Sequence, residues 1–100
     1  MSNPVKFALL ATLKAKPGKE TEVADFLKSA LPIVQQETGT ATWYALQFAP
    51  DTFGIFDTFA EEAGRDAHLN GDVAKALMQK APDLFSTPPD IQKLDILIAK

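Results

Sequence analysis

The sequence predicts an α+β fold in which a four-stranded antiparallel sheet carries helices on one face. The elements follow the order strand, helix, strand, strand, helix, strand. Four short stretches are rich in the β-branched and aromatic residues that suit strands. Two longer stretches repeat apolar residues at helical spacing, and glycine or proline separates the elements. With 100 residues the chain has room for one hydrophobic core, so residues 1–100 are expected to form a single domain.

The composition excludes several classes of protein. The formal net charge is −3, and no lysine and arginine cluster interrupts this acidic balance, so nucleic-acid binding is not expected. The absence of cysteine excludes a disulfide framework, a thiol nucleophile and a thiolate metal site. The apolar run near the N-terminus lacks the features of a signal peptide and is too short to span a membrane. We therefore expect a cytoplasmic protein that does not bind membranes.

A proline–glycine break separates the first strand from the first helix. Residues 5–13 are predicted to form a strand, which ends before Pro17 and Gly18. Residues 19 to about 37 are predicted to form an amphipathic helix, because six apolar residues fall on one stripe: Val23, Phe26, Leu27, Ala30, Leu31 and Val34. Pro32 lies inside this pattern and is expected to bend the helix, since proline has no backbone N–H to donate.

A hairpin and a helix with the single histidine follow, and the rest of the chain is organised around them. Residues 40–49 and 52–59 are predicted strands, joined by a turn at Pro50 and Asp51. The apolar period then changes from about two to about 3.6, which predicts a helix over residues 60–69. Asn70 and Gly71 should end this helix, because both residues tolerate the left-handed conformation common at helix ends.

One more helix and one more strand are predicted in the C-terminal third. Residues 72 to about 81 carry apolar side chains at helical spacing, with Asp72 as a reasonable N-terminal cap. Pro82 is expected to end this helix, and residues 82–89 are predicted to form a loop. Residues 91–99 alternate in character and are predicted to form the last strand, with three apolar residues on one side: Leu94, Ile96 and Ile98.

This order of elements is that of the ferredoxin-like split βαβ arrangement. Right-handed crossovers put both helical regions on the same face of the sheet, which leaves the other face without cover from its own chain. The strands carry apolar residues on both faces, with one parity that contains Leu10 and Phe56 and the other that contains Phe7, Leu9, Phe53, Ile55 and Phe59. An exposed apolar face of this size marks an interface, so we expect a homodimer that closes sheet against sheet.

The residues that are missing restrict the chemistry. One histidine and no cysteine exclude an ordinary zinc site, which needs several nitrogen or sulfur ligands. No glycine-rich loop follows a strand, so a nucleotide cofactor has no phosphate cradle, and no serine lies in a nucleophile elbow. An enzyme of this sequence is expected to use acid–base groups and a shaped pocket, without cofactor or metal.

His68 and Asp57 are the leading candidates for acid–base chemistry. An unperturbed pKa near 6.5 lets a histidine exchange protons near neutral pH, and Asp57 is an acid in an otherwise apolar strand. The alternatives are a helix-end histidine that only binds a backbone carbonyl and an aspartate that faces solvent at a sheet edge. Arg65 and Asn70 flank the histidine, where a surface salt bridge and a helix cap are the alternatives to a role in the site.

The segment FGIFDTFAEEAGRDAHLNGDVAKAL resembles the signature of the antibiotic biosynthesis monooxygenase superfamily. In that pattern an aromatic-rich strand carries an acid near its end, and a short helix follows with a His-Leu step before a break of small residues. Asp57, Phe59, His68 and Leu69 occupy those places. Residues 17–19 and 37–39 are also similar, so the resemblance covers nearly the whole chain.

The resemblance implies a dimeric α+β barrel built from two ferredoxin-like subunits. It also implies oxygenation of small aromatic or quinol-type substrates by O2 without metal, flavin or haem. On this hypothesis His68 is the base or the oxyanion partner and Asp57 orients it. Three aromatic residues are then candidate walls of the substrate pocket: Trp43, Phe56 and Phe59. Trp43 and Tyr44 point to opposite faces of their strand, and packing in the core is the alternative to substrate contact for each of these two.

The sequence departs from the haem-degrading members of this superfamily. They pair an asparagine on the first strand with a tryptophan on the third and a later helical histidine. Here the first strand has no asparagine, the third strand has no tryptophan, and the helical segment from residue 72 to about 81 has no histidine. Haem degradation is therefore disfavoured. Two other functions stay open: a non-catalytic dimeric module that binds a small apolar ligand, and an isomerase acting on a small metabolite without O2.

Overall fold

A computed structural model describes residues 4–100 and contains four strands and four helical segments. In chain order these are β1 (Phe7–Lys14), α1 (Glu20–Ser29), α2 (Leu31–Val34), β2 (Thr42–Ala49), β3 (Thr52–Phe59), α3 (Glu62–Leu69), α4 (Asp72–Leu84) and β4 (Asp90–Asp95). No helix in the described part of the chain is both long and apolar enough to cross a membrane.

The four strands form one antiparallel sheet in the order β2-β3-β1-β4. The two central strands, β1 and β3, pair along their whole length, from Phe7 opposite Phe59 to Lys14 opposite Thr52. This order requires a crossover between the two halves of the chain, and the α+β fold with a ferredoxin-like sheet is confirmed.

The main core lies between the sheet and the helices. Alternate residues of the central strands point to the helices because side chains in a strand alternate between faces. The buried cluster contains strand residues Ala11, Leu13, Phe53 and Ile55 and helix residues Val23, Leu27, Leu77 and Leu84. This packing holds α1 and α4 on the face of the sheet that also carries Asp57.

The first helical region, predicted as one helix that bends at Pro32, is divided near this proline into α1 and the short α2, which ends at Val34. Helix α1 ends at Ser29, and Pro32 lies in the first turn of α2, where a missing N–H costs little because it has no partner inside the helix. The break also changes the direction of the following side chains. Leu31 was expected on the buried stripe, but it is 46% exposed, whereas Val34 is buried.

The prediction that Pro82 ends the last helix is wrong, because α4 continues to Leu84. The proline lies close to the end of the helix, so its missing N–H removes one backbone hydrogen bond and leaves the last turn intact. The amide of Phe85 still donates to the Ala81 carbonyl at 2.9 Å, and the side chains of Leu84 and Phe85 are both buried. Burial of these two residues stabilises the final turn.

The last strand is shorter than the sequence predicts. It ends at Asp95, which lies opposite Phe7 at the start of β1, so no partner strand extends beyond this pair. The amide of Ile96 donates to the Lys6 carbonyl at 2.9 Å, but Leu97 and Ile98 are 95% and 90% exposed. Ile98 therefore does not share a strand face with Leu94, contrary to the prediction from the alternation.

Two leucines on the predicted stripe should differ sharply in their contribution to stability. Leu27 is 3% exposed, so we expect Leu27→Ala to lower the free energy of unfolding by roughly 2–5 kcal/mol. Leu31→Ala is the matched control and should cost less than about 0.5 kcal/mol. Urea denaturation measures both, and equal losses would contradict the break between α1 and α2.

Candidate functional site

His68 lies in the last turn of α3 between two carboxylates. Its Nδ1 is 2.6 Å from Oε1 of Glu37, and its Nε2 is 2.9 Å from Oδ2 of Asp57. The exposed fraction of the side chain is 1% for Asp57, 8% for His68 and 19% for Glu37. The three residues, which we call the acid–base array, therefore run from the interior of the domain towards its surface.

Strand β3 places Asp57 on the helix side of the sheet. Asp57 is paired with Leu9 of β1 and Trp43 of β2, so it lies in the middle of a row that crosses three strands. Its Oδ2 contacts the histidine, whereas its Oδ1 is buried and has no hydrogen-bond partner among the described residues. A buried carboxylate is costly without such a partner, so His68 is the group that makes Asp57 tolerable at this position.

Glu37 belongs to the turn after α2, and two glycines bring this turn against α3. A Cβ at Gly64 would lie 2.6 Å from the Gly39 carbonyl oxygen, and a Cβ at Gly39 would lie 2.9 Å from the Gly64 Cα. Any side chain at either position would separate the turn from the helix. Thr40 then fixes the carboxylate, because its hydroxyl donates to Oε1 of Glu37 at 2.8 Å.

The surroundings of His68 favour its charged form. Burial of the imidazole is the largest single influence and lowers the pKa of His68. The hydrogen bonds and negative charges of Asp57 and Glu37 together outweigh it, so the pKa is raised above the ordinary 6.5. The C-terminal end of α3 adds partial negative charge from its backbone carbonyls, which also favours a cation.

Both ring nitrogens of His68 need a proton to bind both carboxylates. Each nitrogen faces a carboxylate oxygen, and a neutral imidazole can donate through only one of its two nitrogens. When the histidine is protonated, which its raised pKa favours, the array is an imidazolium between two carboxylates with a net charge of −1. Such a group can accept a proton at a carboxylate oxygen while the imidazolium stabilises a nearby anion.

Two cavities of very different size meet the array. The inner cavity, of about 40 Å³, is lined by Asp57, His68 and apolar residues that include Leu9, Leu77 and Ile91. The outer cleft has a volume of about 670 Å³ and lies between the turn after α2 and the helices α3 and α4. Residues along its wall include Pro32, Ile33, Glu37, Thr40, Gly64 and Gly71. The outer cleft falls in the size range of small-molecule sites, whereas the inner cavity holds no more than a few atoms.

The predicted aromatic residues lie on two different faces of the sheet. Phe59 is fully buried, and its ring centroid is 5.7 Å from that of His68. Trp43 is half-buried, pairs with Asp57 and packs against the core, so it lies on the same side. Phe56 lies on the opposite face, where its ring stacks on Tyr44 at 6.4 Å. Within one chain, the sheet therefore lies between Phe56 and His68.

The residues beside the histidine have structural contacts. The buried Arg65 donates to the Leu94 carbonyl at 3.1 Å, lies over the ring of Phe7 and pairs with Glu62 at 3.5 Å. Asn70 is the C-terminal cap residue of α3, and its side chain donates to the Asp66 carbonyl. Arg65 therefore ties α3 to the sheet, and Asn70 ends the helix.

Glu37 is the member of the array that the sequence did not single out. In the sequence, residues 37–39 stand out only by their similarity to the superfamily. Local spacing gives no signal, because Glu37 and His68 are 31 positions apart and meet through a turn without regular structure. The small residues Gly39 and Gly64 are the only hint of a close approach, and their partners cannot be paired from one sequence.

The raised pKa of His68 predicts a pH-dependent stability. Above pH 6.5 the unfolded chain releases the histidine proton while the folded protein keeps it. The stabilisation is therefore complete below pH 6.5 and is lost as the pH rises through the folded pKa. We expect the free energy of unfolding, measured with urea, to fall by up to about 1.4 kcal/mol per pH unit in that range.

Asp57→Asn should flatten this dependence, because it removes a carboxylate that favours the charged histidine. Asp66→Asn makes the same chemical change at an exposed position of α3 and should keep the wild-type slope. Equal slopes in all three proteins would show that the array does not hold the proton.

Comparisons with known proteins support the fold and identify a close relative. No protein-family model and no curated protein matches the chain. Among solved structures, NE2512 from Nitrosomonas europaea, a protein of unknown function, is 56% identical, with a TM-score of 0.95; the match covers 99% of this chain and 96% of that one.

More distant structures share the fold. A Nitrosomonas europaea protein proposed to be an antibiotic biosynthesis monooxygenase is 14% identical with a TM-score of 0.81, over 92% of this chain and 99% of that one. A Caulobacter crescentus protein with the same proposed activity is 21% identical with a TM-score of 0.78, over 94% and 92%. The chain therefore belongs to the family of NE2512 and has the fold of the antibiotic biosynthesis monooxygenases, as the sequence resemblance indicates.

Proposed function

We propose that this protein is a cofactor-independent monooxygenase that oxidises a small aromatic or quinol-type substrate with O2. The observation that carries the proposal is the acid–base array, an imidazolium held between two carboxylates at 2.6 and 2.9 Å beside a cleft of ligand size. An electron-rich hydroquinone reacts with O2 by itself once it is deprotonated. The protein then needs only to bind the ring, take a proton and stabilise the anion.

The reaction balances without another reductant. A ring C–H becomes C–OH and the quinol becomes a quinone, so the substrate supplies all four electrons that reduce O2. One oxygen atom stays in the hydroxyquinone and the other leaves as water. In this proposal the ion pair of His68 with Asp57 keeps a positive charge beside the site of proton transfer, and Phe59 and Trp43 pack the wall behind it.

We also propose that two chains form a homodimer through the open face of the sheet. Leu10, Phe56 and Tyr44 lie in one row across β1, β3 and β2 on the face away from the helices. Tyr44 and Phe48 are 51% and 55% exposed on a single chain. Phe48 packs against Gly54 on the same face, where a Cβ would come within 2.6 Å of the Phe48 ring. Such an apolar surface favours contact with a second copy. In the dimer Phe56 belongs to this interface.

The oxygenase proposal predicts O2 uptake by metal-stripped protein with a panel of reduced quinones and hydroxyanthrones. We expect uptake above the spontaneous rate and a loss of at least about 100-fold in His68→Gln and Asp57→Asn, since acid–base groups typically contribute that much. Asp66→Asn should keep the wild-type rate. Circular dichroism of each variant separates loss of chemistry from loss of fold.

Uptake that survives both substitutions would keep the reaction but remove His68 and Asp57 from it. No uptake by the wild-type protein on any compound would contradict the oxygenase proposal and favour a module that binds a small apolar ligand. Turnover without O2 would instead favour an isomerase.

The dimer proposal predicts twice the mass of one chain in light scattering at micromolar concentration. Phe48→Asp should shift the mass to that of one chain, because it buries a charge in the interface. Met78→Asp is the matched control, since Met78 is 54% exposed on α4, away from the sheet face. A wild-type mass of one chain would refute the dimer.

A further inference from the structure

His68 has no free nitrogen with which to contact a substrate. Nδ1 binds Glu37 and Nε2 binds Asp57, and only 8% of the side chain is exposed. A substrate that used either nitrogen directly would first break one of these two ion pairs. Asp57 is less accessible still, at 1%. The most exposed member of the array is Glu37, so a substrate reaches the array most readily there.

The outer cleft gives Glu37 space for a ligand. Both side-chain hydrogen bonds that Glu37 makes among residues 4–100 end on Oε1, one from His68 and one from Thr40. The second oxygen, Oε2, lies beside Gly71: a Cβ added to this glycine would be 3.3 Å from Oε2. Because Gly71 has no side chain, the space beside Oε2 stays open. Pro32 and Ile33 supply an apolar wall of the same cleft, and Ile33 is 41% exposed.

The charges of the cleft select its ligand. Its titratable lining groups are Glu37, His68 and Asp72, which together carry a net negative charge when the histidine is protonated. A ligand with its own carboxylate is repelled by them, whereas an uncharged ring with a hydroxyl group can donate to Oε2. The inner cavity, at about 40 Å³, is too small to hold a ring.

We infer that the outer cleft binds an uncharged hydroxyl-bearing ring and that Glu37, rather than His68, is the catalytic base that receives its proton. The role of Glu37 as a base rests on the proposed function, whereas the binding of the ring in the outer cleft does not. The ring O–H bond breaks, the proton goes to Oε2 of Glu37, and the ring keeps the electron pair. The imidazolium of His68 then lies behind the carboxyl group and stabilises the anion, while Asp57 keeps it charged and in position. His68 and Asp57 are thus positioning residues.

The probe for binding is 2-naphthol, which is added to the wild-type protein in the absence of O2. Binding is monitored by NMR through the changes in backbone amide chemical shifts. We expect shifts at Ile33, Gly64 and Gly71 along the outer cleft. Shifts centred on Leu77 and Ile91, or on Tyr44 and Phe56, would overturn the inference. Ile33→Ala should weaken binding by roughly tenfold, since it removes apolar contact, and Leu31→Ala on the same short helix should leave it unchanged.

The effect of the Glu37 charge is measured as the ratio of the dissociation constants of 2-naphthoate and 2-naphthol. The two ligands share a naphthalene ring, and 2-naphthoate has a carboxylate in place of the hydroxyl group. Glu37→Gln keeps the shape of the side chain and should reduce this preference by at least about tenfold. Glu61→Gln is the control, because Glu61 is exposed at the start of α3 and its side chain makes no cap bond. An unchanged preference in Glu37→Gln would overturn the inference.

Kinetics separate this inference from the oxygenase proposal. If a quinol is turned over, Glu37→Gln should lower kcat by at least about 100-fold with little change in KM. A wild-type kcat in Glu37→Gln refutes Glu37 as the base and leaves the oxygenase in place. If 2-naphthol binds in the outer cleft but the protein consumes no O2 with any quinol, the proposed binding site is supported and only the oxygenase proposal is refuted.

Discussion

The pairing of one imidazolium with two carboxylates determines how the candidate site is built. An isolated buried aspartate at position 57 would carry a large desolvation cost, and so would an isolated buried histidine. Together with Glu37 they satisfy one another, at 2.6 and 2.9 Å. Removing any member leaves a buried charge without its partner. The stability of each charged side chain at its position therefore depends more on the other two than on its sequence neighbours. The same pairing supplies a fixed positive charge near a cleft.

The fold brings the three residues together from separate elements. Strand β3 directs Asp57 towards the helices, and α3 ends with His68 above it. The turn after α2 reaches α3 only because Gly39 and Gly64 allow backbone to touch backbone. Arg65 fixes the same helix to the sheet through the Leu94 carbonyl. Regular elements, β3 and α3, therefore hold Asp57 and His68. Glu37 is held by the short turn after α2, which also borders the outer cleft.

The sequence predicts periodic features well and long-range contacts poorly. The bounds of β3 and the break at Pro32 follow from local patterns that a single chain carries. The end of α4 does not, because burial of Leu84 and Phe85 outweighs the effect of Pro82. The end of β4 depends on where β1 begins, which local alternation cannot reveal. At the site, Asp57 and His68 stand out as unusual residues in their elements, whereas Glu37 is an ordinary acid in a turn until the fold puts it beside the histidine.

The most direct test is the protonation of His68 in the intact protein. Nitrogen NMR of the imidazole at pH 6.5 distinguishes a ring with two N–H groups from a neutral ring with one. An imidazolium held by two carboxylates predicts that both nitrogens are protonated at this pH and that Asp57→Asn and Glu37→Gln each make the neutral form more abundant. A single protonated nitrogen in the wild-type protein would contradict the central claim and reduce His68 to a packed residue with one hydrogen bond.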